Sequence, residues 1–445
     1  MLSFINFFMK NNELISKAQE VLNNNYQEKG FTIPCKGLYP FQWNWDSGFI
    51  AIGFAHFDME KAQKEIKTLI DSQWSNGFIP HIIFHNETDT YFPGADFHKS
   101  NLSPLANNNV PTTGMTQPHV LGFTLERMYE IAENKEEILD FIKTTIDAVY
   151  TYSLYFYKYR DPLNEGLAYI YHNWESGTDN SPIWDDIWST MESPQYTFER
   201  RDTTHVDASQ RPSNEEYNHY LHIIEVAKKY NYDDAKIAEF SPFLIQDPLF
   251  NSMLIGSNQS LIRLYEKIGG NEDKIATLQA YTEKSIQSFN SKLYDEELGA
   301  YCHYDLKKNK LIRFVTSSSF APLFAQVPDK KRADILVTTL LEKFGNEDQY
   351  LCASFDPTSE RYKPKQYWRG PVWINLNWLL YHGLKKYGYD RIAERVKNDS
   401  IELIQKNGFY EYFDARKEMH QNNTAGYGGN NFSWSAALLI DLLSE

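Results

Sequence analysis

Apolar residues recur at three- and four-residue spacing through most of the chain, the pattern of helices with one buried face. Leu14, Ile15, Ala18, Val21 and Leu22 share such a face and run to Asn23-Asn24-Asn25, where the helix is expected to end. An apolar helix through Phe54 follows Gln42-Trp43-Asn44-Trp45-Asp46-Ser47. A short turn at His56 to Asp58 joins it to a second helix striped by Met59, Ala62, Ile66, Leu69 and Ile70. Residues 75–115 hold Gly, Pro, Asn and His without a sustained period, which is long for a plain connection and marks a candidate functional loop.

Helical periodicity returns after Thr116 and through 136–157, where Ile142, Ile146 and Val149 share a face. Ser213-Asn214-Glu215-Glu216 reads as a capping box that starts a helix with Tyr217, Leu221, Ile224 and Ala227 turned inward. Further helices are predicted at 249–268, stopped by Gly269-Gly270, and at 271–292, 329–344, 371–386, 390–406 and Phe432 to Leu443. Strand-like alternation is confined to pieces such as Ala300 to Tyr304 and Leu311 to Val315. Successive helix pairs, long loops and no βαβ rhythm point to an all-α toroid of helix hairpins, the (α/α)6 barrel. No change of composition or Pro/Ser/Gly linker divides residues 1–445, so one domain is expected. Loops at one rim of such a ring converge, and residues distant in sequence can share a cleft.

The formal net charge of -15 disfavours nucleic acid or an acidic membrane surface as partner. Cys35, Cys302 and Cys352 have neither disulfide-framework nor zinc spacing, which suits a reducing, cytoplasmic setting. The apolar run Leu2 to Met9 lacks a basic flank and is short for a signal or a membrane span. Oligomeric state is not legible. Aromatic residues make up 15% of the chain, enough to serve both a large core and the apolar faces of sugar rings.

The chain has no G-x-S-x-G elbow, no phosphate loop, no H-E-x-x-H and no G-x-G-x-x-G after a strand. What stands out are aromatic clusters with acids embedded in them: Tyr39 to Asp46, Trp174 to Asp186, Gln366 to Trp373 and Phe409 to Phe413. Glycoside hydrolysis needs one protonated acid and a second carboxylate, and surrounding rings raise an acid's pKa by desolvation.

Five motifs in order carry a resemblance. Tyr39-Pro40-Phe41-Gln42-Trp43-Asn44-Trp45-Asp46-Ser47, Gly77-Phe78-Ile79-Pro80-His81, Glu175-Ser176-Gly177-Thr178-Asp179-Asn180-Ser181-Pro182, Tyr367-Trp368-Arg369-Gly370-Pro371-Val372-Trp373 and Phe432-Ser433-Trp434-Ser435-Ala436-Ala437 resemble glycoside hydrolase family 63. Within it, the chain is most similar to the compact bacterial mannosylglycerate and glucosylglycerate hydrolases. The resemblance covers residues from about 12 to the C-terminus. It implies an (α/α)6 barrel with short strands at the active-site rim, and inverting hydrolysis of a small α-glycoside without metal or cofactor. It places Asp179 at the general acid and Glu411 at the general base. Tyr39, Trp43, Trp45, Asp46, His81, Tyr91, Gln117, Gly177, Trp368 and Trp373 fall in the sugar-binding shell; Arg211, Tyr217 and Tyr367 fall where a glycerate carboxylate is held. A guanidinium fork suits that anion.

Each assignment has a plainer counterpart. Asp179 could cap the helix opened by Pro182, and Glu411 could be a surface residue of a short strand. Trp43, Trp45 and His81 could be core; Arg211 could tie its loop to the next helix; Arg369 is equally suited to a structural ion pair. Segments 75–115 and 175–212 have the length and polarity of lids, and the polar stretch Arg416 to Asn431, longer than the resemblance leads one to expect, could reshape the aglycone pocket. Competing functions are a family 63 α-glucosidase for neutral glucosides, a sugar-binding protein without catalysis, and a histidine-centred sugar epimerase, for which no evident histidine pair is present.

Overall fold

Two kinds of helix alternate along the chain, and burial separates them. Asn44–Ala55 (α2) is buried at every position, whereas Met59–Ile70 (α3) buries only Ala62, Glu65, Ile66 and Leu69. A helix that is apolar all round needs protein on every side, and one with a single stripe can face water. The computed structural model describes residues 2–422 and 424–445, with side chains placed from Asn11 onward. The side chains of the apolar run Leu2 to Met9 lie outside that description, as does residue 423 in the polar stretch 416–431.

Among the described residues, the helices of seven or more residues are α1 (Leu2–Asn25), α2, α3, α4 (Leu121–Ile131), α5 (Lys135–Tyr159), α6 (Asn214–Lys229), α7 (Asp234–Phe240), α8 (Pro248–Ile268), α9 (Glu272–Ser288), α10 (Lys330–Phe344), α11 (Ile374–Lys386), α12 (Asp390–Asn407) and α13 (Ser433–Ser444). The inner ring is a closed circuit. Helix α2 packs on α4, α4 on α8, α8 on the 3-10 segment Ser317–Leu323, that segment on α11, α11 on α13, and α13 back on α2. Outer elements α1, α3, α5, α9, α10 and α12 alternate with these in chain order, which is the (α/α)6 barrel the helical pattern predicts.

The observed elements differ from the predicted ones at a few points. The fourth inner position is a 3-10 segment with Pro322 inside it, where a missing N–H works against an α-helix. The helix expected over 271–292 ends at Ser288 and continues as a π-turn, Phe289–Leu293. The helix expected from 371 begins at Ile374, because Pro371 and Val372 bridge to neighbouring chain segments. Ser213 forms the expected capping box with Glu216. Short antiparallel strands lie between the helices; Gln42–Trp43 pairs with Ile82–Ile83, and Tyr410–Phe413 with Gly426–Asn430.

Inner helices approach closely where a side chain is absent. A Cβ on Gly53 would sit 2.4 Å from Ala437 Cα, so α2 and α13 meet at a glycine–alanine contact. The interior is filled by rings, with Trp378 packed against Phe49, Phe123 and Phe324. Near the C-terminal ends of the inner helices one acid ties four elements. Asp441 of α13, fully buried, accepts bonds from Trp378 Nε1 of α11 (2.8 Å), Arg127 Nε of α4 (2.9 Å) and His56 Nε2, which follows α2 (2.8 Å). Burial pushes the Asp441 pKa up, but His382, His56 and Arg127 outweigh it and hold the carboxyl below the usual range.

Removing one partner of a buried ionic cluster leaves the other unpaired. Asp441→Ala is therefore expected to lower the unfolding free energy by about 3 kcal/mol, measured by chemical denaturation. The folded-state pKa is depressed, so this stabilisation is present above the unfolded carboxylate pKa of about 3.9 and disappears as pH falls below it. The gap between variant and wild type should close over that range.

Candidate active site

The N-terminal ends of α2, α4, α11 and α13, with the loops that precede them, surround a cavity. Its lining includes Tyr39, Trp43, Trp45, Asp46, His81, Tyr91, Gln117, Gly177, Asp179, Arg211, Tyr217, Tyr367, Trp368 and Glu411. Every predicted site residue except Trp373 is among them. Trp373 is a correction: it stacks behind Trp368, ring centroids 3.6 Å apart and planes 3° from parallel, so it supports the wall and does not form it.

Local folding places each group. The strand pair Gln42–Trp43 with Ile82–Ile83 is continued by Asn44 N–H donating to the His81 carbonyl (3.0 Å), which brings both motifs to one wall. Gln117 Oε1 accepts from the Trp45 N–H (3.0 Å) in the first turn of α2, where the helix leaves donors free. Asp46 lies in the same turn, where the helix dipole favours a negative charge. It is buried, and among the described residues no side chain donates to it. His81 is also buried, its Nδ1 unpartnered, and burial keeps the ring neutral.

The Asp179 loop hangs on Glu175. That buried carboxylate accepts from Thr116 N (2.9 Å), Thr116 Oγ1 (2.7 Å), Tyr171 N (2.7 Å) and Arg160 Nη1 (3.2 Å). The chain then turns at Gly177, φ +73°, where a Cβ would meet Trp45 at 2.5 Å, so only glycine fits there. Asn173 Nδ2 holds the Asp179 carbonyl (2.8 Å), and Asn180 Oδ1 accepts from Trp368 N (2.9 Å), joining this loop to the Tyr367 segment. The Asp179 side chain caps no helix. It turns to the cavity, with Oδ2 3.3 Å from Tyr367 Oη. Burial pushes its carboxyl up to about 7, even with Arg211 nearby favouring the charged form.

Glu411, at 1% exposure, is no surface residue. It accepts from Tyr39 Oη (2.8 Å) and Gly429 N (3.0 Å), and its Oε2 is 3.8 Å from Arg211 Nη1. Burial raises its pKa as well, against the Arg211 charge. Gly429 belongs to the polar stretch after Glu411, which folds back as the strand Gly426–Asn430. Arg211 also donates through Nε to Asp202 (3.0 Å) and through Nη1 to Tyr39 Oη (3.0 Å), and its guanidinium stands 4.2 Å from the centre of the Tyr367 ring. Arg369 makes the structural pair, a two-pronged bond to Asp185 at 2.7 Å.

Trp174, Phe92, Asp202, Phe432 and Trp434 also line the cavity. Trp174, Phe432 and Trp434 stand inside motifs that were visible in the sequence. Asp202 and Phe92 had no local signal, because what marks them is contact with distant residues.

A family model described as "Mannosylglycerate hydrolase MGH1-like glycoside hydrolase domain" matches residues 39–435. The chain belongs to this family. It is 36% identical to a mannosylglycerate hydrolase of Rubrobacter radiotolerans over 97% of each chain, and 31% identical to a glucosylglycerate hydrolase of Mycolicibacterium hassiacum over 91% of this chain and 92% of that one. It superposes with a TM-score of 0.90, at 36% identity, on the GH63 mannosylglycerate hydrolase from Thermus thermophilus in complex with Tris and D-glycerate, covering 97% of this chain and all of that one. The family match spans the first four motifs from which the resemblance was read and reaches Ser435 in the fifth, so the chain is a glycoside hydrolase.

One backbone position beside Glu411 is tightly constrained. Gly428 has φ +70°, and a Cβ there would come within 2.2 Å of Glu411 Oε2. Gly428→Ala should therefore rotate the Glu411 carboxylate off the Gly429 N–H and cost about 1–3 kcal/mol of stability, read from a crystal structure of the variant and its denaturation midpoint.

Proposed function

We propose that this protein hydrolyses a small α-glycoside with an anionic aglycone, mannosylglycerate or glucosylglycerate, to free sugar and glycerate with inversion at the anomeric carbon. The observation that carries the reading is the pair of acids facing one cavity, Asp179 and Glu411, with Arg211 beside both. Among relatives of similar length are a mannosylglycerate and a glucosylglycerate hydrolase, and the T. thermophilus structure contains D-glycerate.

In this mechanism Asp179, kept protonated by burial, gives its proton to the glycosidic oxygen. Glu411, whose charged form is favoured by Arg211, Tyr39 and the Gly429 N–H against the cost of burial, takes a proton from a water molecule whose oxygen attacks the opposite face of the sugar. The contacts through Tyr367 and Tyr39 limit the gap between the two carboxyls to about 9.4 Å, within the reach of an acid and a base that act across one sugar and one water. Asp46, without a side-chain donor of its own, is suited to accept two sugar hydroxyls, while Trp43, Trp45 and Trp368 offer ring faces. Arg211 and Tyr217 hold the glycerate carboxylate; Asp202 fixes the guanidinium through Nε and Tyr39 takes a bond from Nη1, which leaves Nη2 as the group to meet the ligand.

The reading treats residues 1–445 as one catalytic unit with lids near 75–115 and 175–212. Contact between the two segments supports this: Phe92 and Phe198 stack with centroids 5.9 Å apart. A reducing, cytoplasmic location is supported by three free, buried cysteines. Among the described residues no helix is long and apolar enough to cross a membrane.

Incubation with each of the two glycerate glycosides, followed by proton NMR from the first minute, should show glycerate release and the β-anomer of the sugar appearing first. Cleavage of kojibiose with no glycerate release from either compound would reassign the aglycone. Asp179→Asn is expected to lower kcat by roughly 10³-fold with KM little changed. The kcat/KM of the wild type should fall as pH rises through about 7, where Asp179 loses its proton. On the acid side it should fall at a pH above the ordinary Glu value of about 4.3, because Glu411 is raised.

A further inference from the structure

The two acids are joined by an unbroken run of hydroxyl contacts. Asp179 Oδ2 is 3.3 Å from Tyr367 Oη, Tyr367 Oη is 3.3 Å from Tyr39 Oη, and Tyr39 Oη is 2.8 Å from Glu411 Oε1. At the Glu411 end Arg211 Nη1 donates to Tyr39 Oη and Gly429 N donates to Glu411 Oε2, and neither group can accept, so Tyr39 keeps one proton and one lone pair with which to donate to an ionised Glu411 or accept from a protonated one. The Tyr367 end is held by an unusual backbone: φ is +45° at a non-glycine residue, a strained conformation that persists only where the surrounding structure enforces it.

We propose that Tyr367 and Tyr39 form a proton wire that returns a proton from Glu411 to Asp179 after each turnover. The inference rests on the hydrolytic reading above. Hydrolysis leaves Asp179 without its proton and Glu411 with one taken from water. In that state Tyr367 donates to the ionised Asp179. On return the Glu411 proton passes to Tyr39 Oη, the Tyr39 proton to Tyr367 Oη, and the Tyr367 proton to Asp179, so three O–H bonds break and three form. The run then points the other way: Asp179 donates to Tyr367, Tyr367 to Tyr39, and Tyr39 to an ionised Glu411. Throughout, the Tyr39 oxygen accepts from Arg211 and from one neighbour, within its capacity of two.

Other charges could set these protonation states. Around Asp179 they are Arg211, Glu411 and Asp46, with the phenols of Tyr217, Tyr220 and Tyr91. Around Glu411 they are Arg211, Asp202, Asp46 and the thiol of Cys35. Changing Tyr367 or Tyr39 to phenylalanine removes none of these charges; Tyr39→Phe also takes an acceptor from Arg211 Nη1, so Tyr367→Phe is the cleaner break in the hydroxyl run.

The sign of a shift is the test. Carboxyl protonation is followed by infrared difference titration of the substrate-free protein, with bands assigned through Asp179→Asn and Glu411→Gln. In the wire's resting state Tyr367 accepts the Asp179 proton, so Tyr367→Phe should move the Asp179 titration down by about one pH unit. If Tyr367 were only a donor to an ionised Asp179, the same change would move it up. An upward or absent shift overturns the proposal. Tyr39→Phe, an independent variant, should raise the Glu411 titration and also lower that of Asp179, which it does not touch; a shift confined to Glu411 counts against a wire. In kinetics, Tyr367→Phe should show a fast first turnover followed by a steady rate roughly tenfold below wild type, restored by rising imidazole concentration. A buffer-independent rate without a burst also overturns it. If the wild type cleaves neither glycoside, the hydrolytic reading fails, while the titration still decides whether the hydroxyl run couples the two acids.

Discussion

Removing a carboxyl group from water carries a free-energy cost, and how that cost is met separates two pairs of buried acids in this protein. Glu175 and Asp441 are fully partnered. The first receives three backbone N–H groups, a hydroxyl and an arginine, and the second an indole, an arginine and a histidine. Each ties distant segments together. Asp179 and Glu411 are met only in part, with phenols and the shared Arg211 in place of dedicated cations, and burial leaves both raised. Asp179 and Glu411 thus differ from Glu175 and Asp441 by environment and not by residue type.

The ring gives this sorting its geometry. The inner helices α2, α4, α11 and α13 run with their N-termini toward the cavity, so the free N–H groups and the positive dipole end of α2, which is buried at every position, face the same space as Asp46. The opposite ends are joined through Asp441. Glycine contacts such as Gly53 against Ala437 set how closely inner helices approach, and hence how near the loops they carry stand to one another. Glu411 and Asp179, 232 positions apart in number, meet because the segments that carry them both border the Tyr367 turn.

Much of the fold was legible in the order of residues. Burial follows the three- and four-residue stripes, as in Ala62, Ile66 and Leu69, and Ser213 caps its helix as its motif predicts. The fourth inner element was not legible, since Ser317 to Leu323 has no sustained period and a proline near its end. Within the site, the aromatic-acid motifs identified the walls, but a tryptophan that faces the cavity and one that braces it have the same sequence signal. Trp368 and Trp373 separate only by which ring lies in front.

Periodicity, capping residues and aromatic-acid clusters are local, and from them the chain declares its helices, its all-α class and the segments where a site is expected, while the resemblance to a family points to Asp179 and Glu411 within them. Long-range contact is another matter. That Arg211 is steadied by Asp202 while reaching Tyr39, that Gly428 must leave room for Glu411, and that two phenols bridge the acids depend on segments brought together by ring closure. No residue type or spacing encodes those distances, because each is set by how the inner helices pack and by which buried groups find partners when they do.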